Sequence, residues 1–342
     1  MANFNEVSKE IPQGHRALSN KPVRVICIDG GGMRGIVPAT FLEAMEQISG
    51  QSISELFDVA VGTSTGAILA AGLNVAADDG KSARYSASHF VNLYKDMGST
   101  IFHRKRSLIH VLGGIVHPTY DPSSYEALLR DHFGDATIGQ SLSEIAVPSI
   151  ELQDMNMHIF SRVQARAEQS RDFYVRDLIR AATAAPTYFP AAELSSIDGS
   201  RSGTFVDAGV STNNPGMIAY AESRIVEADA ECFFVSLGTG AITKPINAIN
   251  ARTWGEVEWI KAIFDLQGDA QSSYTTTVLQ DLMDLNPGNH FRRFQIDLHM
   301  MPFAMDDTTP AHMDKLRAAA QAGVREQEKE LKELVRRLQD AA

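Results

Sequence analysis

Short, nearly unbroken apolar runs alternate along this chain with longer stretches whose apolar residues recur every three or four positions. Residues 23–28 (VRVICI) are the first such run and predict a buried central strand. After a glycine-rich turn, Val37, Phe41, Met45 and Ile48 fall on one helical face, and Gly50 is placed to end that helix. Residues 57–61 predict the next strand, followed, past a second glycine turn, by an apolar helix through residue 75. A helix is expected over 82–97. Residues 98–120, rich in glycine and histidine and weakly periodic, read as an excursion or lid. Asp121 and Pro122 supply an N-cap and a first-turn proline for a helix that Gly134 ends.

Residues 145–152 and 157–161 read as a pair of strands, and 175–184 as a helix stopping before Pro186. A short strand, 204–206, leads into Asp207; Asn214-Pro215 opens a helix. Residues 232–237 are the last clear central strand, 291–298 an edge strand, and Val324, Leu331, Leu334, Val335 and Leu338 mark a stripe on a helical tail. Strands alternating with helices imply an α/β fold, a three-layer α/β/α sandwich around a mainly parallel sheet. No repeat, low-complexity tract or linker cuts the chain. One domain over 22–320 is expected, between an N-terminal extension (1–21) and an amphipathic C-terminal helix (321–342) that either pairs with a second subunit or packs on its own domain.

Composition narrows the partners. The 342 residues are 44% hydrophobic, ample for a sizeable core, and carry a net charge of −11, which disfavours a nucleic-acid polymer. Anionic membrane is also repelled in bulk, although local basic residues outweigh that within a Debye length of about 8–10 Å. Both cysteines, Cys27 and Cys232, sit in strand-like runs and read as small buried hydrophobes, which fits a reducing, cytoplasmic setting. The first residues show no apolar signal region, and the longest apolar stretch, 67–77, is about half a bilayer span.

Two turns carry the chemistry. Gly62-Thr63-Ser64-Thr65-Gly66 lies between a strand and a helix, the setting in which a serine is presented on a strained nucleophile elbow. Asp29-Gly30-Gly31-Gly32-Met33-Arg34-Gly35 offers successive glycine N–H groups that can approach a carbonyl oxygen closely, an oxyanion hole. Arg34 adds positive charge nearby or forms a salt bridge, for instance to Asp29. The same turn also matches a dinucleotide fingerprint through Gly30, Gly32 and Gly35. Against that, Asp29 puts a carboxylate where a pyrophosphate would sit, and the next strand runs into the serine turn instead of a ribose-binding acid.

A serine nucleophile needs a base. None of the ten histidines (15, 89, 103, 110, 117, 132, 158, 290, 299 and 312) lies in a loop with other site signals. Asp207 ends a short strand before Ala208-Gly209, either as a site residue at a strand terminus or as a turn-capping aspartate. No metal-ligand spacing is evident, and no cofactor is expected.

Taken in order, the two turns, Ala185-Pro186-Thr187-Tyr188-Phe189-Pro190, Asp207-Ala208-Gly209, Asn213-Asn214-Pro215 and Ser236-Leu237-Gly238-Thr239-Gly240 resemble the patatin-like phospholipases over roughly residues 22–320. The resemblance implies a Ser–Asp dyad without histidine: Ser64 as nucleophile, Asp207 as general base, and Gly30, Gly31, Gly32 and Arg34 at the oxyanion hole. Pro186 and Pro190 would shape the turn delivering Asp207; Asn213 and Asn214 would fix that loop or cap its helix. The motif at Asp207 reads Asp-Ala-Gly where the family often has Asp-Gly-Gly.

The expected activity is cleavage of fatty acyl chains from glycerophospholipids at a membrane surface, the protein being peripheral there. His103, Arg104, Lys105 and Arg106 would meet headgroup phosphates, with Ile101, Phe102, Leu108, Ile109, Val111 and Leu112 dipping into the interface; a solvated loop is the plain alternative. Some bacterial relatives resemble lipases gated by a cyclic oligonucleotide in antiviral defence, so a nucleotide activator or a homo-oligomer is a further expectation. A binding module with a vestigial site, and a dinucleotide-dependent oxidoreductase, are the competing classes. Covalent capture of Ser64 by a fluorophosphonate separates the enzyme from the first, and a bound-cofactor absorbance identifies the second.

Overall fold

The structure, a computed structural model, describes residues 21–101, 120–241, 251–298 and 306–342. The expected N-terminal extension up to residue 20, the basic and apolar contact residues from Phe102 to Leu112, and His15, His103, His110, His117 and His299 lie outside the described residues.

Eight strands form one sheet among the described residues. They are β1 (Val23–Ile28), β2 (Val59–Gly62), β3 (Glu144–Glu151), β4 (Met157–Ser161), β5 (Ala192–Ser195), β6 (Ser202–Asp207), β7 (Cys232–Leu237) and β8 (His290–Phe294). The order is β5-β6-β3-β2-β1-β7-β8, with β4 also pairing β3. The pairs β1–β2, β1–β7, β2–β3 and β7–β8 are parallel; β3–β4, β3–β6 and β5–β6 are antiparallel. The expected mainly parallel sheet is therefore present, with an antiparallel flank added on the β3 side.

The unbroken apolar runs have a plain cause: both faces of the central strands are covered. Ile26 and Ile28 point into a core shared with Val37, Phe41 and Met45 of helix Ile36–Ser49 and with Leu331, Val335 and Leu338 of helix Glu328–Asp340. Val23, Val25 and Cys27, the alternate residues of the same strand, face a second core with Ala219 of helix Gly216–Val226 and with Leu279 and Met283 of the long helix Glu256–Asp284. Strand alternation thus sorts one sequence run into two layers, each fully buried side chain contributing about 1.5–3 kcal/mol. The C-terminal stripe packs into its own core through Leu331, Leu334, Val335 and Leu338.

Several boundaries differ from expectation. The apolar helix after the serine turn is Thr65–Gly72, shorter than read, and residues 82–86 are not helical. An isolated bridge pairs Ala76 with Ala83, closed by a turn in which Asp79 accepts from the Lys81 and Ser82 amides and Gly80 takes φ 67°. The following helix begins only at Ala87. Pro122 stands at the N-cap of helix Ser123–Phe133, one place earlier in the helix frame than expected, while Gly134 caps its end as read. The tail is two helices, Pro310–Glu326 and Glu328–Asp340, so the expected boundary at 320/321 falls inside a helix. The 29-residue helix Glu256–Asp284 had no counterpart in the pattern: among its described residues from 266 on, only Thr275, Leu279 and Met283 are buried, with Gln271 and Thr276 half-buried.

Candidate active site

Register brings the two turns together. Ile28 of β1 pairs with Gly62 of β2 on one side and with Leu237 of β7 on the other. The three parallel strands therefore end level, and Asp29, Thr63 and Gly238 all leave from the carboxyl edge of the sheet, where open α/β folds collect ligands.

Ser64 leaves that edge at φ 54° and ψ −120°, one of only three non-glycine residues with positive φ among those described. Such a conformation costs on the order of 1–3 kcal/mol and survives only when its surroundings enforce it. The flanking glycines explain how. A Cβ on Gly62 would stand 2.0 Å from the Gly66 carbonyl oxygen, and one on Gly66 would stand 2.2 Å from the Ile28 oxygen. Strand and helix cross too closely for any side chain at either place. Ser64 occupies the N-cap of helix Thr65–Gly72, yet its hydroxyl makes no capping bond. Its hydroxyl instead lies close enough to the Asp207 carboxylate to lower that group's pKa.

Asp207 reaches this point from the antiparallel flank. It ends β6 opposite Ser149 of β3, the strand that pairs with β2 on the serine side of the sheet. Its amide is tied to the Ala184 carbonyl at 3.1 Å, just before Pro186. The carboxylate is buried and accepts the Gly209 N–H at 2.7 Å. The turn-capping reading of Asp207 is met by the Gly209 bond, and the same carboxylate stands beside Ser64. Burial pushes its pKa up to about 6, with the nearby Ser64 hydroxyl and the Gly209 amide pulling the other way. The group is ionised at neutral pH and holds a proton far more readily than an exposed aspartate.

The glycine loop is less uniform than its sequence. Gly30 abuts the serine, its Cβ position lying 3.3 Å from Ser64 Cβ, but its N–H is donated to the Asn213 carbonyl at 2.9 Å. Its amide is thereby committed, so of the three glycines expected at an oxyanion hole Gly30 has its N–H already engaged. Gly32, at φ 58°, needs glycine for its backbone. Arg34 donates its backbone N–H to the Gly31 carbonyl at 3.2 Å; its guanidinium lies 3.4 Å from that carbonyl and 3.4 Å from the Gly240 carbonyl.

The suggested Arg34–Asp29 salt bridge is not formed. Asp29 is buried and paired with Arg293 of β8, at 2.5 Å and 3.3 Å, with Ser272 of the long helix beside both. Nothing local in the sequence announced Arg293, which reaches Asp29 across β7 and bonds Ser236 on the way at 2.6 Å. Asn214 Oδ1 accepts the Gly216 amide at 2.9 Å, one place before the Pro215 N-cap of its helix.

The described histidines are engaged elsewhere: His158 with Asp154, His312 with Asp307, His132 with the Leu128 carbonyl, His89 stacked on Tyr85 and His290 against Phe233. Cys27 and Cys232 are buried free thiols, desolvation pushing them up to about 12 and about 11. Among the described residues, no three or more His, Cys, Asp or Glu side chains are grouped to hold a metal ion, and no helix is long and apolar enough to cross a membrane.

Comparison with known proteins bears on this geometry. The sequence profile of the family described as patatin-like phospholipase matches residues 26–220, more than half of the chain and the span holding both turns and Asp207. The chain belongs to the patatin-like phospholipase family. Membership makes it a lipid acyl hydrolase, a carboxylic ester hydrolase. It is 27% identical to Patatin-like protein 2 of Oryza sativa subsp. indica, covering 88% of this chain and 82% of that protein. It is 28% identical to Patatin-2-Kuras 3 of Solanum tuberosum, covering 88% and 83%. A third relative, 27% identical over 87% and 85%, is named a probable inactive patatin, Patatin-3-Kuras 1 of Solanum tuberosum. Among solved structures, VipD from Legionella pneumophila aligns with a TM-score of 0.48 at 12% identity, over 92% of this chain and 67% of that one.

Proposed function

We propose that this patatin-like chain hydrolyses fatty acyl esters of glycerophospholipids through a Ser64–Asp207 dyad, working peripherally at a membrane surface and in a reducing compartment that keeps Cys27 and Cys232 as thiols. The observation carrying the proposal is a serine in a strained elbow set beside a buried, proton-avid carboxylate. Asp207 takes the Ser64 proton as the hydroxyl oxygen attacks the ester carbonyl. The resulting oxyanion is met by the Gly31 and Gly32 amides, with Arg34 holding the Gly31 carbonyl behind them. Collapse of the tetrahedral intermediate breaks the ester bond, and Asp207 returns the proton to the departing lysolipid oxygen. A water molecule, deprotonated by the same carboxylate, then attacks the acyl-serine and releases the fatty acid, restoring the hydroxyl.

A pKa near 6 suits this double duty, since the base is charged at pH 7 yet close enough to its operating pH to accept and return a proton. Each oxyanion donor is worth roughly 3–4 kcal/mol of barrier. Because one relative is named a probable inactive patatin, activity has to rest on this chain's own dyad, and both members are present.

The test is turnover of phospholipid vesicles and of a soluble short-chain ester by the full chain, beside fluorophosphonate labelling with and without a cyclic oligonucleotide. Ser64→Ala is expected to abolish turnover and labelling, and Asp207→Ala to abolish turnover, both with near-native melting temperatures. Full activity in Asp207→Ala would remove the dyad. Labelling only in the presence of nucleotide would add a gate to it.

A further inference from the structure

The Ser236–Gly240 motif, which neither nucleophile nor base accounts for, wraps the glycine loop from the far side. Thr239 is buried and donates its hydroxyl to the Gly30 carbonyl at 2.7 Å. It also fills the space against Gly31, where a Cβ would come within 2.4 Å of Thr239 Oγ1. The next residue, Gly240, offers its carbonyl to Arg34 and is itself held by Gln295 through its amide at 2.7 Å. Ser236 accepts from the Arg293 that clamps Asp29.

Peptide planarity turns this into a statement about direction. The Gly30 carbonyl and the Gly31 N–H belong to one peptide unit, and in a trans unit they point opposite ways. No cis peptide bond occurs among the described residues. A hydroxyl fixing the carbonyl from one side therefore fixes the amide toward the other. The Arg34 N–H does the same for the next unit, holding the Gly31 carbonyl and so directing the Gly32 amide. Gly30 carries no side chain and Gly31 has no room for one, so without these bonds the two peptide units are the softest part of the loop.

We infer that Thr239 is a positioning residue for the hydrolysis: its hydroxyl sets the Gly30–Gly31 peptide so that the Gly31 amide faces the oxyanion formed at Ser64. This rests on the dyad reading above and extends it. Thr239 touches neither substrate nor the reacting atoms; it acts through the Gly30 carbonyl. The consequence falls on the transition state alone, because the donor matters only once charge develops on the carbonyl oxygen.

The experiment compares Thr239→Val, which keeps the shape and removes the donor, with Thr239→Ser, which keeps the donor and removes a methyl group. Both are measured on a soluble ester alongside wild type and Ser64→Ala. Thr239→Val is expected to lower kcat by about 10- to 100-fold with KM within about twofold, and to slow fluorophosphonate inactivation by a similar factor. Thr239→Ser is expected to restore most of both rates. If Thr239→Val does not fold, Thr239→Ala against Thr239→Ser makes the same comparison of hydroxyl absent and present.

A Thr239→Val enzyme with wild-type kcat, or a Thr239→Ser enzyme as slow as the valine form, overturns the inference while leaving the dyad standing. A wild-type chain that neither turns over ester nor reacts with fluorophosphonate overturns the dyad reading and this inference together.

Discussion

Replacing Asp207 by asparagine separates two effects of burying one carboxylate. Burial moves this group from its ordinary value of 3.8 to about 6. That is about two pH units, or roughly 3 kcal/mol of preference for the protonated form. The folded protein thus holds the proton more tightly than the unfolded chain. Stability from this group is greatest at low pH, declines as pH rises from the ordinary carboxylate value to about 6, and stays low above it. Asparagine has nearly the same shape, can still accept the Gly209 amide and never ionises. At pH well above 6 the variant is therefore expected to be more stable than wild type, by up to roughly 3 kcal/mol, and the gap is expected to close in acid.

Activity moves in the opposite direction. Losing the base costs about 10²- to 10⁴-fold in rate, and wild-type kcat/KM is expected to fall on an acid limb centred near pH 6. Denaturant titrations of both proteins across this range, with ester turnover and fluorophosphonate inactivation measured in the same buffers, read both halves. An asparagine variant less stable than wild type at alkaline pH would refute the account of burial. An acid limb at the ordinary carboxylate value would refute the account of the base.

Gly62→Ala and Gly66→Ala are each expected to lower the melting temperature and abolish fluorophosphonate labelling, since the new methyl group would lie 2.0 Å and 2.2 Å from backbone oxygens; overpacking of this kind costs about 1–3 kcal/mol or more. Arg293→Met strands the buried Asp29 carboxylate and is expected to destabilise by about 3–5 kcal/mol in denaturant titration, with Asp29→Asn/Arg293→Met recovering part of that loss. Glu144 and Glu222 are both buried and both pushed up to about 7, by desolvation first and, for Glu222, by Glu144 as well. Their contribution to stability is present in acid and lost as pH rises through about 7, so Glu222→Gln is expected to be more stable than wild type on the alkaline side and to flatten the pH dependence of unfolding.

Part of this architecture is written locally in the chain. The central strands declare themselves as unbroken apolar runs because a strand covered on both faces has no polar side to show, as Val23–Ile28 and Cys232–Leu237 illustrate. The serine turn is equally local, because crowding between one strand and the helix that follows it demands glycine at 62 and 66 whatever the rest of the chain does. The proposed base is less legible. A turn-capping aspartate and a catalytic one look alike in sequence, and Asp207 accepts the Gly209 amide while standing beside Ser64.

Tertiary structure decided which amides of the glycine loop stay available, because that depends on carbonyls and hydroxyls brought from Asn213 and Thr239. It also decided the partner of Asp29, an arginine 264 residues away whose side chain crosses a neighbouring strand. Hydrophobic period records which face of an element is buried; it carries no record of which distant polar group will meet a given carboxylate. The long helix Glu256–Asp284 escaped for a related reason: its contacts with the site run through Gln271 and Ser272, whose partners exist only once the sheet has assembled.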